Sequence, residues 1–162
     1  MRQQEGFGLL QWLLVTSLLS ISLLYSVSLG HAWYQKYQFN HISKQLYADL
    51  SFAKTESLIR EISVCICPSD LNNICQLNWS SARSWLVLPC TATSENNTIF
   101  ARTTLPQNFL ITWNRAYSNI CFTRNGYLCS QPGTFSLAQK NINGTNTITI
   151  SLAGKIRLEI GK

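Results

Sequence analysis

The period of apolar positions changes along the chain, and each regime predicts a different element. Residues 7–30 carry no charged side chain. At 1.5 Å rise such a run makes roughly 36 Å of helix, enough to cross a ~30 Å hydrocarbon core with some tilt. Beyond it, Ile42, Leu46, Leu50, Ala53 and Ser57 recur at three- and four-residue steps, with Lys44, Asp49, Lys54, Glu56 and Arg60 off that stripe. No Pro or Gly interrupts residues 31–64, so one helix is expected from about residue 7 to about residue 60, with Gly30 its one weak point. After Arg60 short β-prone runs alternate with Asn, Ser, Gly and Pro clusters. They predict strands at 62–67, 84–88, 98–104, 109–113, 120–124, 127–129, 134–138, 146–152 and 155–160. Asn125-Gly126 signals a two-residue hairpin, and Ala153-Gly154 a terminal one.

The fold class expected is therefore α+β, a long N-terminal helix packed on a small antiparallel β-rich domain. Residues 7–30 span the membrane, 31–61 form an amphipathic helix lying on the domain, and 62–162 form the domain itself. A cleavable secretory signal is the rival reading of the first run, but such signals have an apolar core of about 7 to 15 residues. This run is longer, and Trp33 and Tyr34 behind it suit a membrane interface. The hydroxyls at Thr16, Ser17, Ser20, Ser22, Ser26 and Ser28 can bond back to their own backbone or to a neighbouring helix. Charges code orientation weakly, since Glu5 offsets Arg2 while Lys36 and Lys44 follow the span.

The six cysteines place the C-terminal part outside the cytoplasm. Cys65, Cys67, Cys75, Cys90, Cys121 and Cys129 all fall in the β-rich part, an even count that favours disulfides. Cys65-Ile66-Cys67 followed by Cys75 resembles a ligand cluster, yet zinc sites pair C-x-x-C knuckles or add histidines, and His31 and His41 are remote in the stem. No metal is expected. The Asn125-Gly126 hairpin sets Cys121 opposite Cys129, Cys67–Cys75 closes a short loop, and Cys65 with Cys90 remains as a default pair.

The formal charge of +6 is concentrated late in the chain. From residue 101 onward Arg102, Arg115, Arg124, Lys140, Lys155, Arg157 and Lys162 face a single acid, Glu159. Such a basic half attracts nucleic acid, anionic lipid or an acidic surface, or else solubilises the domain. No catalytic constellation stands out: the β-rich part has no histidine, its acids Asp70, Glu95 and Glu159 are scattered, and Gly-rich phosphate loops are absent. No enzyme and no cofactor are expected. Trp79, Trp85 and Trp113 read as packing residues.

These pieces resemble one family. A leader ending in Gly6, then Phe7-Gly8-Leu9-Leu10-Gln11 and an apolar helix, resembles the class III signal of type IV pilins and pseudopilins. Ala53-Lys54-Thr55-Glu56-Ser57-Leu58-Ile59-Arg60 and Val64-Cys65-Ile66-Cys67-Pro68-Ser69 with Cys75, Trp79 and Trp85 resemble the GspH/FimT-type minor members. So do Gly133-Thr134-Phe135-Ser136-Leu137 and Ser151-Leu152-Ala153-Gly154-Lys155-Ile156-Arg157. The resemblance implies a type IV pilin-like fold in which residues 1–6 are a prepilin leader. On this resemblance a prepilin peptidase is expected to cut between Gly6 and Phe7, with the new Phe7 amine methylated. The subunit is expected to wait as a single-pass protein in the bacterial inner membrane with its C-terminal domain in the periplasm. An inner-membrane assembly platform is then expected to pass it into a filament of major and minor (pseudo)pilins. Two departures stand out: Gln11 occupies the position of the usual Glu, whose carboxylate neutralises a neighbour's amine, and Ser28 stands about where the helix proline is common.

Three functions follow for comparison. The first is a minor pseudopilin or pilin of a type II secretion system or type IV pilus, assembling or capping the filament. The alternative is a DNA-uptake pilin: Gly154-Lys155-Ile156-Arg157 resembles the basic Gly-Arg-x-Arg-like motif of some FimT-type members, with Arg124 and Lys140 as further phosphate contacts. The third is a single-pass ectodomain unrelated to pilins.

Overall fold

The computed structural model describes residues 5–70, 74–91, 98–140, 142 and 144–161, with only the backbone described at 5–7 and 23–32. One helix, α1 (Glu5–Arg60), is followed by β1 (Val64–Ser69), β2 (Ser84–Pro89), β3 (Ala101–Thr104), β4 (Phe109–Trp113), β5 (Ile120–Phe122), β6 (Gly133–Gln139), β7 (Thr145–Ile150) and β8 (Ile156–Glu159). The chain divides into two units, Met1–Gln38 and Phe39–Lys162.

In the first unit α1 stands alone. Every described side chain from Gly8 to Ser22 is exposed, including Leu9 at 73% and Trp12 at 73%. The hydroxyls turn inward onto their own helix: Thr16 Oγ1 donates to the Trp12 carbonyl at 3.0 Å, Ser20 Oγ to Thr16 at 2.8 Å and Ser22 Oγ to Leu18 at 2.8 Å. Among the described residues no helix is long and apolar enough to cross a membrane. Most of the second half of the expected span, with Gly30, lies where side chains are not described.

In the second unit the remainder of α1 packs with two antiparallel four-stranded sheets, ordered β3-β2-β1-β5 and β4-β6-β7-β8. Leu46, Leu50, Ala53 and Ser57 are fully buried, so the stripe read from the sequence is the packing face. Around it Val64, Ile66, Trp85, Val87, Ile120 and Phe122 of the first sheet meet Ile111, Phe135, Leu137, Ile148 and Ile150 of the second in one core. Trp79 is buried too, donating Nε1 to the Ser118 carbonyl at 2.6 Å and standing edge-on to Phe135. Trp113 packs against the same Phe135.

Among the described residues, polar contacts at three places along α1 fasten it to the domain. Asp49, although off the stripe, is 7% exposed: its Oδ2 accepts Trp85 Nε1 at 2.7 Å and Thr103 Oγ1 at 2.8 Å, and Gln45 Nε2 donates to Oδ1 at 3.2 Å. Asn146 of β7 donates Nδ2 to Ser43 Oγ at 2.8 Å and to Asn40 Oδ1 at 3.2 Å, while its Oδ1 accepts the Gly161 amide at 2.9 Å. Lys54 Nζ donates to the Gly154 carbonyl at 2.9 Å. The helix ends at Arg60, a cation beside the negative end of the dipole, which pairs with Glu56 and lies 4.6 Å over the Phe100 ring. Glu61 then takes a left-handed φ of 54°, the usual reversal after a helix end.

The strands differ from the sequence reading mainly at two places, besides β3, expected from 98 but beginning at Ala101, and β7, expected to 152 but ending at Ile150. Segment 127–129 is no strand; it forms one bridge, Phe122↔Leu128, and β5 stops at Phe122. The reason lies in where its amides go. Thr123 N bonds the Tyr127 carbonyl and Cys129 N the Cys121 carbonyl, but the Leu128 amide faces the other way and donates to Leu152 at 3.1 Å. The segment thus bridges the first sheet to the β7–β8 turn instead of extending β5. The other difference is at the front of the domain, where β1 begins at Val64 and includes Pro68. Cys75 pairs across to Ser69 there.

Candidate assembly and nucleic-acid surfaces

Gln11 is exposed on α1, in a notch of about 240 Å³ lined by Gly8, Gln11, Trp12 and Val15. These positions repeat at three and four residues, hence along one face, and the missing side chain at Gly8 opens the backbone beside the Gln11 amide. That amide can both donate and accept, but it holds no charge. Gly6 and Phe7, the expected processing position, lie in the helical backbone of α1, and their side chains are outside the described residues.

Lys155, Arg157, Arg124 and Lys140 are all exposed, yet they do not share one patch. The Asn125-Gly126 and Ala153-Gly154 turns touch: a Cβ at Gly154 would run into the Gly126 carbonyl oxygen, and Gly154 has a φ of 68°. This contact brings the turns bearing Arg124 and Lys155 together. Lys54 joins them through its bond to Gly154, with its stem beside Gly126. Arg157 sits opposite Thr149 in the β7–β8 ladder, on a face that also carries Thr147 and Glu159 and, from β6, Thr134. Lys140 follows the far end of β6, where its amide bonds the Asn108 carbonyl. Gly133 is paired with Ile150 near the β7–β8 turn, whereas Ala138 pairs with Thr145 at the opposite end. Lys140 is thus about 20 Å of strand away from the turns. Lys54 is the cation that sequence reasoning missed, because nothing in a helical repeat says which distant turn a lysine will reach.

The cysteines occupy the outer face of the first sheet. Cys65 pairs with Cys90, Cys67 with Cys75 and Cys121 with Cys129, at Cα separations of 5.0, 5.5 and 5.3 Å. Cys65 and Cys121 are directly opposed across β1 and β5, and Cys67 with Leu86, Leu88 and Ile99 makes a second small apolar cluster. Among the described residues no helix covers this face. The sulfurs of Cys65, Cys90 and Cys121 lie within 4.8 Å of one another, the spacing of a metal trio, but each is already in a disulfide.

A profile of the family described as type II transport protein GspH matches residues 43–154. Among solved structures, the type IV minor pilin FimU of Pseudomonas aeruginosa superposes with a TM-score of 0.62 at 20% identity, covering 77% of this chain and 90% of that one. The minor pseudopilin EpsH from the type 2 secretion system of Vibrio cholerae gives 0.54 at 17% identity, covering 75% and 96%. At these identities the likeness is one of fold. No curated protein sequence matches the chain.

Proposed function

The chain belongs to the GspH family of type II transport proteins, and from that premise we propose that it is a structural minor subunit of a pseudopilus or type IV pilus. The observation that supports this best is the first unit of α1. None of its described side chains from Gly8 to Ser22 is charged, most are apolar and all are exposed, and the hydroxyls of Thr16, Ser17, Ser20 and Ser22 bond back to the helix's own carbonyls. An uncharged, largely apolar helix with its hydroxyls turned onto its own backbone suits lipid or a bundle of other helices. In this reading it is held in the inner membrane, is processed between Gly6 and Phe7, and is then drawn into a bundle of like subunits. The notch at Gly8 and Gln11 receives a neighbouring helix there. Gln11 supplies hydrogen bonds but no countercharge, which suits a position without a subunit amine to neutralise, such as a filament tip. Co-expression with a prepilin peptidase followed by N-terminal sequencing tests the reading: a chain beginning at Phe7 supports it, and one still beginning at Met1 overturns it.

A second reading, DNA capture, is favoured by one observation, the contact that gathers the turns of Arg124 and Lys155 beside Lys54 and Arg157. Duplex DNA should then be retained at about 50 mM salt, with affinity falling steeply as salt rises. Lys155→Ala with Arg157→Ala should flatten that salt slope by about 2, whereas Lys140→Ala should leave it nearly unchanged. Absence of binding at low salt excludes this reading.

A further inference from the structure

The four cysteines at one end of the first sheet form a connected set, not two separate staples. Cys65 on β1 and Cys121 on β5 are cross-strand neighbours. The Cys90 and Cys121 sulfurs are 3.4 Å apart, although they belong to different disulfides. A bond between them needs an approach of only about 1.4 Å, since a disulfide is about 2.0 Å long. The remaining pair, Cys67–Cys75, contributes no sulfur to this group.

The set also has an entrance. A cavity of about 500 Å³ is lined by Cys121, Cys129, Tyr117, Asn119 and Ser130, with Leu77 at its edge. Tyr117 and Leu77 are 68% and 92% exposed, and the buried Ser130 Oγ has no protein partner. Of the disulfide sulfurs facing this space, Cys129 belongs to an exposed residue and Cys121 to a half-buried one. Cys129 is thus the more exposed residue of the pair.

We propose that this cavity is a thiol–disulfide exchange site, from which an external thiol at Cys129 relays the exchange inward to Cys65–Cys90. The external thiolate bonds the Cys129 sulfur, the Cys121–Cys129 bond breaks, and Cys121 leaves with the electron pair. The Cys121 thiolate attacks the neighbouring Cys90 sulfur, forming Cys90–Cys121 and releasing Cys65 as thiolate. One thiolate is consumed and one produced, so no oxidant or reductant is needed beyond the external thiol. The outcome is a ligand held on Cys129 and a free thiol on β1, with the first sheet still crosslinked between β5 and the segment after β2.

Two measurements on the full chain in detergent test this, with glutathione as the probe thiol. In the wild type, limited glutathione followed by acid quench, alkylation and peptide mapping should give glutathione on Cys129, the alkyl group on Cys65, and a Cys90–Cys121 bond. Alkylation at Cys121 with Cys65–Cys90 intact, or glutathione at Cys75 and never at Cys129, overturns the proposal. In Cys129→Ser, Cys121 is a free thiol from the outset, so the inner exchange with Cys65–Cys90 proceeds without an external thiol. Cys90–Cys121 and a free Cys65 should then predominate in protein whose near-ultraviolet circular dichroism remains native. A folded variant that keeps Cys65–Cys90 and a free Cys121 refutes the relay, and if that variant does not fold the wild-type mapping decides alone. The Cys67→Ser/Cys75→Ser double variant should show the same relay as the wild type, and its loss there would equally refute an independent centre.

Discussion

Replacing Asp49 tests whether the helix and the first sheet are joined by chemistry or only by apolar contact. Its carboxylate accepts hydrogen bonds from Trp85 Nε1, Thr103 Oγ1 and Gln45 Nε2, and Trp85 is 1% exposed. In Asp49→Ala the buried indole N–H loses its carboxylate acceptor. Hydrogen bonds to a charged group are worth about 1.5–3 kcal/mol each, and an orphaned buried donor costs about 1–3 kcal/mol. Against this stands relief of the carboxylate's own desolvation, so the net loss is about 2–4 kcal/mol, a large share of a typical domain's 5–15 kcal/mol. For a unit of this size that corresponds to a fall in Tm of roughly 8–16 °C. Asp49→Asn keeps the shape and one acceptor oxygen and should lose about half as much. The assay is thermal unfolding followed by tryptophan fluorescence, with Trp85→Phe and the double variant completing a cycle. A coupling energy below about 0.5 kcal/mol between Asp49 and Trp85, or an alanine variant as stable as the wild type, would refute the reasoning.

Gly154→Ala should destabilise by more than about 2 kcal/mol, because it combines a left-handed φ with a collision against the Gly126 carbonyl. Hydrogen exchange should show the Leu128 amide losing protection first. Asn146→Ala removes the links to Ser43 and to Gly161 and should cost about 1–3 kcal/mol, read in denaturant melts, while the fold's other helix contacts persist. Removing Cys67–Cys75 as the paired serine variant should cost about 2–3 kcal/mol by the loop-entropy account; urea midpoints measure it.

Much of this fold is written in local pattern. The charge-free run and the stripe from Ile42 to Ser57 set out the helix, since a helix reports its buried face every three or four residues. The Asn125-Gly126 turn brings Cys121 and Cys129 together over a short stretch, and that too is local. Asp49 was not legible, because between Leu46 and Leu50 an acid reads as solvent-facing. Only the arrival of Trp85 and Thr103 from β2 and β3 makes burial worthwhile. The division into two sheets was equally hidden: β4 follows β3 in sequence but pairs with β6, and β1 finds β5 across more than fifty residues. The same limit applies to the surfaces. Exposure of Lys155 and Arg157 follows from their charge, but the approach of Lys54 and the distance of Lys140 depend on tertiary contacts.

The three polar fastenings on the helix have a mechanical meaning. They sit at Asn40 and Ser43, at Asp49 and at Lys54, spread over about 21 Å of helix axis. They reach one sheet, the other sheet and the terminal turn respectively. A pull along the helix loads all of them at once, in shear, and slipping by a single turn of about 5.4 Å would have to break the whole set together. Tension applied to the packed part of the helix, from Asn40 to Lys54, is therefore shared across both sheets rather than peeled off one bond at a time.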